Sequence, residues 1–313
     1  MAAGAPLARL ADREVFALRE GQAFTWGDVV EGSRLRGDWD EFEQDARGRL
    51  RVAAGTDPDV VVQAGWEFRY ARGLVSGDDL KAWLAAWGLS TDDWRGYLRR
   101  QVSGAPESSA GERFASDSSP DVAVGVDAIC TGFMERAAHR LAEDAALAER
   151  AGAETTDLAN LLAAAELERA RPADDGEVER ELRRHTVDWT QYALELLEVA
   201  SEDMAKEAVL GITLDGQSIS EIASLSGGRS TRSTSLLADA PAELTPHLQS
   251  ARAGEVVGPI RLASGYAVLL VHERTSPDHE DVELRARAEA LVAARALERE
   301  VLSRITWRDA VVR

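Results

Sequence analysis

The sequence predicts an α+β protein. It reads as a helical N-terminal domain over residues 1–103, a linker over 104–120, a helical middle segment over 121–206 and a C-terminal domain over 207–313. That last domain is expected to hold a small, mostly antiparallel sheet and a long closing helix. Three observations carry the prediction. Apolar residues recur at helical spacing through the first hundred positions, the middle is dominated by Ala, Leu, Glu and Arg, and the last third breaks into short apolar runs between Gly- and Ser-containing turns.

Taken in order, residues 14–19 have a short strand pattern, and a turn follows at 20–22. Thr25 with Asp28 has the spacing of a capping box that opens a helix. Trp39, Phe42 and Ala46, then Trp66, Tyr70 and Leu74, lie on helical stripes. Ser76 before Asp78 and Asp79, and Ser90 before Asp92 and Asp93, place hydroxyls and carboxylates where free helix N–H groups need acceptors, while Gly73 and Gly88 stop the preceding helices. The linker, rich in Ser with Gly and Pro, has one aromatic, Phe114, and little to bury. Helices are predicted over 127–150, 156–170 and 177–200, with a cap at Ser201. Residues 208–214 alternate and read as a strand, Ser218 with Glu221 as a second capping box, and 227–234 as a solvated loop. A hairpin turn at Ser264-Gly265 leads into the continuous apolar run 266–271, the pattern of a buried strand, and 281–304 closes the chain as a helix with Leu284, Leu291 and Ala294 on one stripe.

Thirty-six basic against fifty-five acidic side chains give a formal net charge of −19, which repels phosphate backbones and anionic lipid. Nucleic acid and membrane are therefore not expected partners. Arg9, Asp12, Arg13, Glu14, Arg19 and Glu20 interrupt any apolar core of a signal peptide, and no run has the length of a membrane span. A reduced, cytoplasmic protein is the expectation. A single cysteine, Cys130, rules out an internal disulfide and reads as a small buried hydrophobe within a helix.

Five histidines, at 139, 185, 247, 272 and 279, show no metal-ligand spacing, so no metal is expected. The run from Gly227 to Thr234 holds glycines, hydroxyls and two arginines without the spacing of a phosphate-binding loop, and no nucleophile elbow is present. No cofactor and no catalytic residue is assigned. Six of the eight tryptophans, at 26, 39, 66, 83, 87 and 94, crowd into the first hundred residues with Phe24, Phe42, Phe68, Tyr70 and Tyr97. Most are expected in a core, and the remainder are the kind of surface that binds peptide.

Residues 253–260, Ala-Gly-Glu-Val-Val-Gly-Pro-Ile, followed by Ser264-Gly265-Tyr266 and an apolar strand, resemble the C-terminal half of a parvulin-type peptidyl-prolyl isomerase domain. The helical stretch with Glu67 to Ser76, Trp83-Leu84 and Trp87 to Trp94 resembles the chaperone module of SurA-like foldases. Taken together, the two are most similar to parvulin-related maturation proteins encoded beside ribosomal peptide natural-product precursors. The resemblance implies a helix packed on the sheet ahead of Gly254-Glu255-Val256 and two histidines on adjacent central strands. The second of these is replaced by Ala267, and the first maps to Glu207 within Ala205 to Val209. The proline pocket's Met and Phe map to Ala240 and Leu244.

The function expected from this is a peptide-binding protein that holds a ribosomally synthesised precursor peptide and assists its maturation without strong isomerase activity. An active prolyl isomerase and a general folding chaperone are the alternatives. Peptide contacts are expected at Trp66, Tyr70, Trp83, Trp87, Leu244, Leu248 and Tyr266, on the tryptophan-rich domain and on a strand edge near Tyr266. Maturation enzymes are further expected partners, and the oligomeric state is left open.

Overall fold

The structure, a computed structural model, describes residues 6–19, 21–50, 57–102, 119–153 and 157–312. All of the predicted linker before Ser119 lies outside the described residues. The protein is α+β, and its chain forms two compact units, Met1–Arg171 with Ala296–Arg313, and Pro172–Arg295.

The first unit begins with α1 (Pro6–Leu10), β1 (Glu14–Leu18) and β2 (Ala23–Thr25). It continues with α2 (Trp26–Arg36), α3 (Asp38–Leu50), α4 (Pro58–Ala71), α5 (Gly77–Ala86) and α6 (Thr91–Val102). The predicted capping box at Thr25 and Asp28 is formed, the Asp28 N–H donating to the Thr25 hydroxyl and the Thr25 N–H to the carboxylate. Ser76 with Asp79 repeats it. Then come α7 (Pro120–Cys130), α8 (Phe133–Arg150) and α9 (Leu158–Arg169). The single helix predicted from 127 to 150 is interrupted at Gly132, whose φ of 73° is a left-handed conformation that ends one helix and begins the next.

Helices α7 to α9 do not form a segment of their own. The buried face of α8, Ala138, Leu141, Ala142 and Ala145, belongs to the same core as Trp26, Trp39, Phe68, Trp87 and Tyr97. Small side chains allow close helix approach: a Cβ added to Gly32 of α2 would stand 3.3 Å from Leu141. The expected boundary at 104–120 is thus replaced by a division near residue 172. Cys130 is fully buried, as predicted, and burial pushes its thiol well above the ordinary range.

The second unit contains α10 (Asp175–Arg184), β3 (Gln191–Val199), α11 (Glu202–Thr213), α12 (Ile219–Ser226) and β4 (Arg229–Leu236). After these come α13 (Thr245–Ser250), β5 (Val256–Leu262), β6 (Gly265–Thr275) and the start of α14 (Val282–Arg304). Three predictions are corrected here. The helix expected over 177–200 is α10 plus strand β3, the strand expected at 208–214 falls almost wholly within α11, and the loop expected at 227–234 lies largely in strand β4. In α11 the Ser201 cap and the inward spacing of Ala205, Ala208 and Gly211 override the local alternation.

The four strands form an antiparallel sheet in the order β4-β3-β6-β5. On one face Tyr192, Leu194, Ala267, Leu269 and Val271 pack under Leu237, Leu244, Leu248 and Ala251. On the other, Leu197, Val199 and Val268 pack under Ala205 and Ala208 of α11 and Ile219, Ile222 and Ala223 of α12. The buried stripe of α14 is Leu284, Ala288 and Val292, while the expected Ala294 faces solvent. Past α14 the chain returns to the first unit with β7 (Ile305–Trp307), which completes a sheet in the order β2-β1-β7 around Phe16. Phe16 stacks on Phe24 at 4.7 Å and meets Trp307 edge-on at 5.6 Å.

Candidate peptide-binding surfaces

In the second unit, the Ser264-Gly265 turn brings β5 back as β6 and sets the register in which Ala267 pairs with Glu198 on one side and Ile260 on the other. Directly paired residues share a face, so one row across the sheet reads Arg229, Glu198, Ala267, Ile260. Along the two central strands the same face carries Leu194, Leu196 and Glu198 on β3 and Ala267, Leu269 and Val271 on β6. No imidazole stands among them. Ala267 lies where the resemblance puts the second histidine, on a central strand. Glu207 does not take the place of the first, because it is an exposed residue of helix α11; the other central strand, adjacent to Ala267, is β3.

Helix α13 packs on this face ahead of Gly254-Glu255-Val256, as the resemblance implies. Its Leu248, together with Leu244 and Leu237, closes over Tyr192, and Leu244 and Leu248 are only 4% and 1% exposed. These two expected peptide contacts are core residues. Arg274 stands over the Tyr192 ring at 5.7 Å, which adds a cation to the rim of an otherwise apolar cluster. Tyr266 lies half-buried on the opposite face, against the α11 and α12 cluster, and β6 is an interior strand, so the strand edge expected there does not exist. The sheet's edges are β4 and β5.

In the first unit, α4 buries Gly65 and Phe68 and turns a second apolar stripe outward. Val62, Trp66 and Tyr70 follow one another at four-residue spacing and are 58%, 60% and 92% exposed; Val75, beyond the helix end, is 86% exposed. Trp66, Tyr70 and Val75, with Gln63, Glu67 and Leu74, line an open groove of about 500 Å³. Arg69 is fixed inside this surface. Its guanidinium lies over the Trp66 ring at 5.0 Å and donates to the carbonyl oxygens of Leu74 at 3.1 Å and Val75 at 2.6 Å. The Gly73 turn is thereby tied to α4, and the stripe is held as a preformed shape.

The four aromatic residues of the first unit that are expected to bind peptide separate by burial. Trp66 and Tyr70 are on the groove, Trp83 is half-buried against Phe68 with Arg72 near its ring, and Trp87 is fully buried against Trp26 at 4.9 Å. Trp87 is therefore core. Val62 and Val75 were not singled out in the sequence; the four-residue step from Val62 to Trp66 was the signal available for the first.

Among the described residues no group of His, Cys, Asp and Glu is placed to hold a metal ion, and no helix is long and apolar enough to cross a membrane.

No family model matches the chain, and no curated protein matches it. Solved structures do. The peptidylprolyl isomerase PrsA of Bacillus cereus is 12% identical, with 92% of this chain and 89% of that chain covered and a TM-score of 0.30. The foldase protein PrsA of Streptococcus pneumoniae is 11% identical, with 91% of each chain covered and a TM-score of 0.29. A structure from a study of two SurA-like chaperones of Campylobacter jejuni is 11% identical, covers 63% of this chain and 94% of its own, and has a TM-score of 0.23.

Proposed function

We propose that the protein is a peptide-holding chaperone without strong isomerase activity, and that its client is a ribosomally made precursor peptide whose maturation it assists. The observation that carries the proposal is the exposed stripe of Val62, Trp66, Tyr70 and Val75 on α4 and the turn after it. A soluble surface that leaves large apolar side chains side by side gains from covering them, at roughly 25 cal/mol per Å² of apolar area removed from water. An unfolded segment with apolar residues supplies that cover. The net charge of −19 favours a client that is not itself acidic overall. The precursor as client is supported by the sequence resemblance to peptide maturation proteins.

Ala267 supports the absence of strong catalysis. The buried methyl group offers no donor or acceptor to a twisting prolyl amide, and the space above it is filled by the protein's own leucines. A proline-peptide isomerisation assay is expected to show no rate above background, and Glu207→Ala to change nothing. A rate well above background would establish the active isomerase instead.

The direct test is fluorescence anisotropy with a labelled, unstructured, apolar-rich precursor segment. Binding is expected to weaken about tenfold or more in Trp66→Ala/Tyr70→Ala, on the scale of losing two aromatic anchors. Unchanged binding in that variant would overturn the assignment of the surface. No binding by the native protein would overturn the function.

A further inference from the structure

The two edges of the four-stranded sheet are built differently. β5 is guarded: it contains Pro259, which has no N–H to offer, and its ladder to β6 shifts register between Val257 and Ile260. β4 has neither device. Its ladder to β3 runs unbroken from Gln191 opposite Leu236 to Glu198 opposite Arg229. Its first six residues, Arg229 to Thr234, are exposed, so neither sheet face is covered there. Among the described residues its main chain makes no turn, loop or cap hydrogen bond beyond its own ladder. An antiparallel edge strand directs every second pair of N–H and C=O groups outward, which is a ready template for one more strand.

The side chains select what that strand is. Along Arg229-Ser230-Thr231-Arg232-Ser233-Thr234-Ser235 there are only hydroxyls and two guanidiniums. Arg229 and Arg232 form no ion pair among the described residues; Glu195, the ladder partner of Arg232, is paired instead with His272 at 3.2 Å. Three residues apart on a strand, the guanidiniums stand on opposite faces of the sheet. A segment added alongside would place one residue opposite each, and opposite charges in cross-strand pairs are favourable while like charges are not.

We infer that β4 is a strand-addition site for an extended peptide segment carrying two carboxylates three residues apart among β-branched or hydroxyl residues. The inference rests on the peptide-binding reading and gives it a second contact, on a different unit from the α4 stripe. The segment's carboxylates lie within a stretch that is neutral or basic overall, so the net charge of the chain does not exclude it.

The probe is a fluorescein-labelled peptide, Lys-Thr-Thr-Glu-Thr-Val-Glu-Thr-Thr-Lys, titrated against the full chain and followed by anisotropy. Arg229→Glu/Arg232→Glu, at exposed positions, is expected to weaken it about tenfold, and the peptide with both Glu replaced by Lys is expected to regain affinity for that variant. Equal affinity for native and variant protein would overturn the inference. Strand addition is separated from simple ion pairing by N-methylating alternate residues in two complementary series. The series that blocks the edge facing β4 is expected to abolish binding and the other to keep it. If both series bind alike or fail alike, the inference falls. If sedimentation of the free protein shows a dimer that shields the 229–236 amides from exchange, a second copy owns this edge and the inference falls as well. Binding of the apolar client that is lost in Trp66→Ala/Tyr70→Ala, with no binding of this probe, overturns the edge site and leaves the chaperone reading intact.

Discussion

Asp127 has no exposed surface, yet it is a carboxylate. Burial pushes its pKa up, and Arg100, which donates from Nε at 3.0 Å, works against that push without reversing it. The folded-state pKa thus lies above the unfolded one. The stability this group contributes is present below the unfolded value and is lost as pH rises through the folded value. Removing the carboxylate also strands Arg100, whose side chain is 10% exposed. Asp127→Ala is expected to cost about 3 kcal/mol in urea unfolding. Relative to native protein, the cost is expected to be smaller at the high-pH end of that window. Glu181 in α10 behaves in the opposite sense. Burial raises its pKa, but hydrogen bonds from Arg295 and His185 outweigh that and hold it below the usual glutamate range. Its contribution is present above the unfolded pKa and fades as pH falls through the folded one. Glu181→Gln is expected to flatten the acid limb of a stability-against-pH curve, and an unchanged limb would show that the network carries no net stability.

At the scale of elements, what is local in the sequence was readable and what is tertiary was not. The helix starts at Thr25, Ser76 and Ser218 follow from side chains reaching their own backbone within three residues, so the spacing alone discloses them. The Gly265 turn is equally local. Its φ of +148° suits glycine, and a Cβ there would meet the Val199 carbonyl oxygen at 2.5 Å. Gly265→Ala is expected to destabilise the second unit by about 2 kcal/mol or more, measured by thermal unfolding, because both the backbone and the β3 neighbour must shift. Strand β3 shows the converse. Leu194, Glu195, Leu196, Leu197 and Glu198 are good helix formers, and only pairing on both sides, with β4 and β6, makes the segment a central strand. Glu207, mapped from the stretch Ala205 to Val209, lies in helix α11 and not on a strand. Ala267 falls on a central strand, as expected, because its position follows directly from the adjacent Gly265-Tyr266 turn. Burial followed the same divide: Trp66 and Trp87 both sit at helical spacing, and only the packing of α2 against the α5 end decides that Trp87 is covered and Trp66 is open.

For the whole molecule, the proposed role as a holder of unfolded chain rests on two features. On the sheet face that holds Ala267, the residues Leu194, Leu196 and Glu198 of β3 and Leu269 and Val271 of β6 include no imidazole, and large apolar side chains are exposed on α4. Because Trp66 and Tyr70 are 60% and 92% exposed, Trp66→Ala and Tyr70→Ala are expected to change stability by no more than about 0.5 kcal/mol while weakening client binding. Equal losses in stability and binding would mean that these residues act through the fold. The most direct measurement is backbone hydrogen exchange of the full chain with and without a saturating, apolar-rich, unstructured precursor segment. Slowed exchange is expected in α4 and the turn through Val75. Exchange that stays unchanged there at saturation would contradict the claim that this surface holds the client.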